Sequence, residues 1–189
     1  MKKNTHHLLL FLILIIALLS TNYTSAQLIE PKNKTIKTAG DVILYALPAA
    51  TFATTLLLKD KKGTWQFTKA FVANAAVTYG LKVALNKPRP FQNGDNAFPS
   101  GHTSTTFQSA SFIHKRYGFK YSIPGYLLAG FTAFSRINAQ KHDGYDILAG
   151  AVVGIGSTLI FTTPYQQEHM ELSFSGERGK YLLGFNYKF

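Results

Sequence analysis

Apolar residues in this chain come in blocks of helical length, parted by short polar, basic or proline-bearing breaks. After Lys2 and Lys3, Leu8 to Leu19 is an unbroken apolar run, followed by the small residues Thr24-Ser25-Ala26 ahead of Gln27. Positive start, short apolar core and small-residue end are the three parts of a secretory signal. Residues 1–26 are therefore expected to be a signal peptide, or else a first membrane helix. Gln27 to Thr38 is polar and basic and reads as a linker, giving a 27–40 segment ahead of the main body.

The main body, 41–164, divides by the same pattern. Asp41 to Leu58 predicts a helix kinked by Pro48, and Lys59-Asp60-Lys61-Lys62-Gly63 a charged turn. Thr64 to Asn86 carries Ala, Val and Leu at spacings of three and four, the signature of a helix. Lys87-Pro88-Arg89-Pro90 must end it, because a residue before proline is pushed out of the helical region. Phe91 to Phe98 reads as a short loop, and Pro99-Ser100-Gly101 opens a helix running to about Tyr117. A basic turn of His114, Lys115, Arg116 and Lys120 follows. Further helices are expected from Pro124 to Asn138 and from Tyr145 to Thr162, with Pro164 closing the helical part. In 165–189, Leu172 to Ser175 and Tyr181 to Phe189 alternate apolar and polar residues around Gly176 to Gly179, which predicts a C-terminal β-hairpin. The fold class expected is all-α: a bundle of about five or six helices with a short hairpin tail.

If the helices span a membrane, the turns at Lys59–Lys62 and His114–Lys120 share one side. Their charge makes that side cytoplasmic. The loops carrying Arg89 to His102 and Arg136 to His142 then lie together on the outer side. Against spanning stand the hydroxyl-rich start of the Ser100–Tyr117 helix and Lys69 inside the helix before it. The expectation is a bundle embedded in the inner membrane with its site facing the periplasm; a soluble or peripheral periplasmic body is the alternative.

Composition sharpens the class. Charged residues are only 15%, against 46% hydrophobic, and 20 basic residues outweigh 9 acidic ones for a net charge of +11. That surplus suits an anionic partner. The basic residues are not interleaved with aromatics in one tract, so no nucleic acid is expected. With no cysteine, disulfides and thiolate metal sites are excluded.

Three clusters at predicted helix ends carry candidate chemistry. Lys82 and Arg89 are seven residues apart, about two helical turns, so both cations lean to one side; the Arg fork suits phosphate. Ser100 and Gly101 at a helix start offer free amides to an anion, and His102 in that first turn is placed to give a proton to a leaving oxygen. His142 and Asp146 are i, i+4 neighbours, so the carboxylate can orient the imidazole, and Arg136 adds a cation. Singly, each has an ordinary structural explanation: a solvated Lys, a Pro-Ser-Gly turn, a surface His–Asp pair. Together they supply a nucleophile (His142), its orienter (Asp146), a proton donor (His102) and a phosphate cradle (Lys82, Arg89, Ser100, Gly101, Arg136).

This ordered set resembles the type 2 phosphatidic acid phosphatase and vanadium haloperoxidase superfamily. Lys82…Arg89-Pro90, Pro99-Ser100-Gly101-His102 and Ser135-Arg136…His142…Asp146 fill its three motifs across roughly Asp41 to Pro164. The resemblance implies a helical bundle with the motifs at one end. It also implies phosphate-ester hydrolysis through a phosphohistidine on His142, needing no metal and no other cofactor. A lipid phosphate or pyrophosphate is the expected substrate. A soluble acid phosphatase, a haloperoxidase and a non-catalytic envelope adaptor are the rivals, and oligomeric state is left open. Two departures stand out: the first two motifs are parted only by Phe91 to Phe98, and Asp143-Gly144 follows His142 where the family often has an aromatic and a proline. An extra carboxylate there is expected to raise the basicity of the nucleophile.

Overall fold

The computed structural model describes residues 34–90 and 94–165, and the backbone of 170–177 and 180–187. The expected leader at 1–26 lies outside the described residues. Five helices make up the described body: α1 (Lys34–Leu57), α2 (Lys61–Leu85), α3 (Gly101–Tyr117), α4 (Phe119–Asn138) and α5 (Gly144–Phe161).

Each start has a chemical cause. Asp60 caps α2 by accepting the Gly63 N–H at 2.8 Å, Ser100 caps α3, and Asp143 caps α5 in a reciprocal box with Asp146. Gly118, at φ 109°, lets α3 turn into α4 with no intervening loop. Pro88 stops α2, whose C-cap Asn86 takes a left-handed conformation (φ 38°) and donates its N–H to the Lys82 carbonyl.

α3 is the axis, in contact with every other described helix. It is buried along most of its length although Thr103, Ser104, Thr106, Gln108, Ser109 and Ser111 are polar. Most of these groups bond within α3 or across to neighbours, Ser111 to the Thr158 hydroxyl at 2.8 Å and Thr78 to Ser104 at 3.1 Å, while Gln108 Nε2 has no partner among the described residues. α5 meets α3 backbone to backbone. A Cβ at Gly150 would stand 2.6 Å from the Ser100 carbonyl oxygen, and one at Gly154 only 2.2 Å from that of Ser104. Small residues four apart permit this approach.

The burial pattern is inverted. Large apolar side chains in the core are few, chiefly Phe67 and Phe112 in edge-to-face contact at 5.0 Å. Leu57, Trp65, Val72, Leu127, Val152 and Ile160 face outward. α1 and α5 are each long and apolar enough to cross a membrane.

Four expectations are corrected. Helix α1 begins at Lys34, so residues 34–40 are not linker. The polar residues Lys34, Thr35, Lys37 and Thr38 are exposed on this turn of helix, while Gly40 is buried where a Cβ would collide with the Ser135 hydroxyl at 2.0 Å. Helix α4 begins at Phe119, five residues before Pro124, and α2 already begins at Lys61. Arg116 does not belong to an exposed basic turn. It is 1% exposed, with Nε and Nη2 donating to Asp60 at 2.7 and 2.6 Å, and the Tyr117 hydroxyl donates to the same carboxylate at 2.9 Å. One arginine and one aspartate, 56 residues apart, lock the α1–α2 turn to the end of α3.

Candidate active site

All eight expected site residues gather at the opposite end, at the finish of α2 and α4 and the start of α3 and α5. The Ser100 N–H donates to the Asp146 carbonyl oxygen at 2.9 Å, tying the second motif to the third. The link between the first two motifs is pinned by Arg89 N–H to the Gly94 carbonyl at 2.7 Å and Ala97 N–H to the Lys87 carbonyl at 2.8 Å.

Lys82 and Arg89 form a pair of cations short of counter-charge. The Lys82 ammonium donates to the Asn96 carbonyl at 2.7 Å. Burial first, and then the neighbouring Arg89, hold its pKa below the ordinary lysine value, while Asp146 works the other way. Arg89 Nε is buried without a hydrogen-bond partner among the described residues. A buried donor left open beside a second cation is what an anion site requires.

Ser100 is fully buried. Its oxygen accepts from the Thr103 hydroxyl at 3.0 Å and, at 3.4 Å, from the Thr103 N–H, leaving its own proton to give. At Gly101 a Cβ would meet only ordinary contacts, Lys82 Cε and Thr78 Cγ2 at 3.8 Å, so packing does not demand glycine there.

His142 is 6% exposed, and its Nδ1 lies 3.6 Å from Asp146 Oδ2, an ion-pair distance rather than a hydrogen bond. Nδ1 has no hydrogen-bond partner among the described residues. The carboxylate is engaged elsewhere. Oδ2 accepts the Asp143 N–H at 3.0 Å, and Oδ1 accepts from Lys87 at 2.8 Å.

Lys87 was not singled out from the sequence. It bridges Asp146 and Asp143, and its pKa is raised: burial lowers it, and the two carboxylates more than offset that. The signal was Lys87 itself, two residues before Arg89, paired with the unusual Asp143. Asp143 is thus spent on capping α5 and neutralising Lys87, which accounts for a carboxylate next to His142 without assigning it to the nucleophile.

Asp41 was also missed. Its Oδ1 lies 2.8 Å from both His102 Nε2 and Arg136 Nη1. Arg136, 3% exposed, commits all three nitrogens to protein groups: Nη1 to Asp41, Nη2 to the Lys37 carbonyl at 2.8 Å, and Nε to the Ser135 hydroxyl at 3.1 Å. Its positive charge is at the site, but its donors point to α1 and Ser135. For His102, burial and then the Arg136 charge lower the pKa, and Asp41 opposes them.

Comparison with known proteins bears on the family and the fold. The PAP2 superfamily model matches residues 63–170. A lipid A 4'-phosphatase of Helicobacter pylori strain J99 is 28% identical over 179 residues, covering 84% of this chain and 89% of its own. A lipid A 1-phosphatase of Porphyromonas gingivalis is 43% identical over 77 residues, 39% of this chain and 17% of its own. The crystal structure of Aquifex aeolicus LpxE superposes with a TM-score of 0.59 over 68% of this chain and 86% of that one. At 20% identity this likeness speaks to the fold.

Proposed function

Because the chain belongs to the PAP2 superfamily, we propose that it is an envelope phosphatase removing a phosphate from a phosphorylated lipid of the lipid A type, through a phosphohistidine on His142. The substrate class is supported by the lipid A phosphatases to which it is similar. The observation that carries the chemistry is the undercompensated Lys82–Arg89 pair, with its open Arg89 Nε, at the helix end that also holds His142 and His102.

Lys82, Arg89, the Ser100 hydroxyl and the Gly101 amide hold the phosphate oxygens, and Arg136 adds positive potential from behind Asp41. His142 attacks phosphorus while Asp146 orients it. His102 protonates the leaving oxygen, then takes a proton from the water that cleaves the phosphohistidine. The cations supply the charge stabilisation, so no step calls for a metal.

The body is embedded in the inner membrane through α1 and α5, with the site on the periplasmic side. The outward apolar side chains and the two long apolar helices support this. Lys69 faces outward from the third turn of α2, where its stem can carry the charge to the interface. The hairpin tail, Met170–Glu177 against Lys180–Tyr187, is supported by antiparallel pairing from Met170↔Tyr187 to Glu177↔Lys180.

The test is phosphate release from a lipid phosphate in mixed micelles and from a soluble aryl phosphate, with chelator present, by the full chain and its His142→Ala variant. Strong preference for the lipid and a dead variant are expected. Equal turnover of the soluble ester would move the reading to a periplasmic acid phosphatase. A fully active variant would take the nucleophile's role from His142, and a wild type that releases no phosphate from either substrate would leave an adaptor.

A further inference from the structure

Asp41 sits on α1, ahead of the residues that the superfamily model matches. It nevertheless reaches the site, with one oxygen 2.8 Å from His102 Nε2 and 2.8 Å from Arg136 Nη1. An ionised carboxylate has only lone pairs to offer. Two lone pairs facing each other at 2.8 Å would repel, so the hydrogen between Asp41 and His102 belongs to Nε2. Arg136 Nη1, 3.2 Å from the same ring nitrogen, gives its proton to Asp41 and not to the ring. His102 Nδ1 makes no hydrogen bond among the described residues and is the nitrogen left for chemistry.

We propose that Asp41 is the positioning residue for the proton donor: by holding the proton on His102 Nε2 it reserves Nδ1 for proton exchange with the substrate. This rests on the phosphohistidine reading given above. As the bond from phosphorus to the leaving oxygen breaks and the bond to His142 forms, the Nδ1 proton passes to that oxygen and the alcohol departs. Water then adds to phosphorus and gives its proton to Nδ1, the bond to His142 breaks, and phosphate leaves. His142 is restored, and His102 again carries protons on both nitrogens. Throughout, Nε2–H stays on Asp41, whose charge offsets the imidazolium. The site thus sets each of its two histidines beside an aspartate: His142, just ahead of α5, with Asp146 in the first turn of that helix, and His102 on α3 with Asp41 from α1.

An amide at position 41 can donate to Nε2 and so move the neutral ring's proton to Nδ1, the wrong tautomer for accepting one from water. It also removes the charge that favours the imidazolium. The experiment compares full-length wild type, Asp41→Asn and His102→Ala on two soluble monoesters, a nitrophenyl phosphate and an alkyl phosphate. The first has a leaving group that needs no proton and the second one that does. Asp41→Asn is expected to lose about a hundredfold in kcat/KM on the alkyl ester and several-fold less on the nitrophenyl ester, since kcat/KM reads only the steps up to departure of the alcohol and not the water step that both esters share. His102→Ala should show the same contrast, and the double variant no further loss. Equal loss on both esters by Asp41→Asn, while His102→Ala keeps the contrast, overturns the role of Asp41 alone; it would then serve Arg136 and the phosphate. No contrast in His102→Ala overturns the acid role and the proposal with it. Should Asp41→Asn not be recovered folded, Asp41→Glu keeps the charge and displaces it. A weaker contrast of the same kind is then expected, and a uniform loss on both esters overturns the proposal.

Discussion

The two ends of the bundle use the same residue types to opposite purpose. Where the α1–α2 turn meets the end of α3, Arg116 donates to Asp60 through two nitrogens and to the Thr163 carbonyl through a third, and Tyr117 completes the carboxylate. At the other end, among the described residues, Lys82 and Arg89 stand together with no carboxylate hydrogen-bonded to either, and a buried guanidinium nitrogen is left open. A buried cation costs several kcal/mol unless it is paired. The first end meets that cost within the chain. At the second the two cations are half-buried, and one buried donor, Arg89 Nε, has no acceptor among the described residues. Burial alone therefore does not mark a cation as a candidate for binding an anion; the vacancy beside it does.

The contrast can be broken by substitution. The largest effect is expected from His142→Ala, a loss of at least about a thousandfold in phosphate release with an unchanged melting temperature. Activity within tenfold of wild type would remove the nucleophile from the account. Next come the two arginines as a crossed pair. Arg116→Ala is expected to destabilise by about 3–5 kcal/mol, because Asp60 is left charged and buried, while the protein that remains folded keeps its kcat. Arg89→Ala should lower kcat/KM by about 10²–10³ and leave the melting temperature unchanged or raised. If both variants lose stability alike, the ends are not different in kind. Gly154→Val should cost at least about 1–3 kcal/mol, because the added atoms meet the Ser104 carbonyl and not a side chain that can move. Chemical denaturation reads it.

The smallest effect is a pH dependence at Lys87. Its folded pKa is raised, so its contribution to stability is complete below the unfolded value, about 10.4, and is lost as pH rises through the folded one. The lead of wild type over Lys87→Met in melting temperature should be constant from pH 7 to 9 and shrink above about pH 10. The opposite sign holds for Asp60, whose pKa is lowered: burial raises it, but Arg116, the Gly63 amide and Tyr117 outweigh that. Its contribution is present above about pH 4 and is lost as pH falls through the lowered value.

The helices and the residues expected to gather at one end were legible in the sequence because their signals are local. Helix periodicity, Pro88, the Ser100 cap and the four-residue step from His142 to Asp146 are each legible within a few positions. What it did not disclose depends on distance. Asp41 lies 61 residues from His102 and 95 from Arg136, at the head of an apolar stretch where a lone aspartate belonged to no motif. Arg116 stood among His114, Lys115 and Lys120 and shared their look, and only the fold brings Asp60 to it. Lys87 could be seen, but its role required knowing that α5 starts alongside the loop that ends α2. The outward apolar faces blurred the usual rule for finding a core, because here most of the buried surface is hydroxyl, amide and glycine.

The seam between α3 and α5 has a consequence for how this protein can change over generations. The interval between Ser100 and His142, the proposed phosphate cradle and nucleophile, is gauged by close approach of main chains at Gly150 and Gly154, and by the bond from Ser100 N–H to the Asp146 carbonyl. Apart from the Thr103 Cβ beside Gly150, the nearest contacts there are main-chain atoms. Descendants can exchange the surrounding residues and adapt the outer face to new lipids without recalibrating the reaction, provided those two positions carry no side chain.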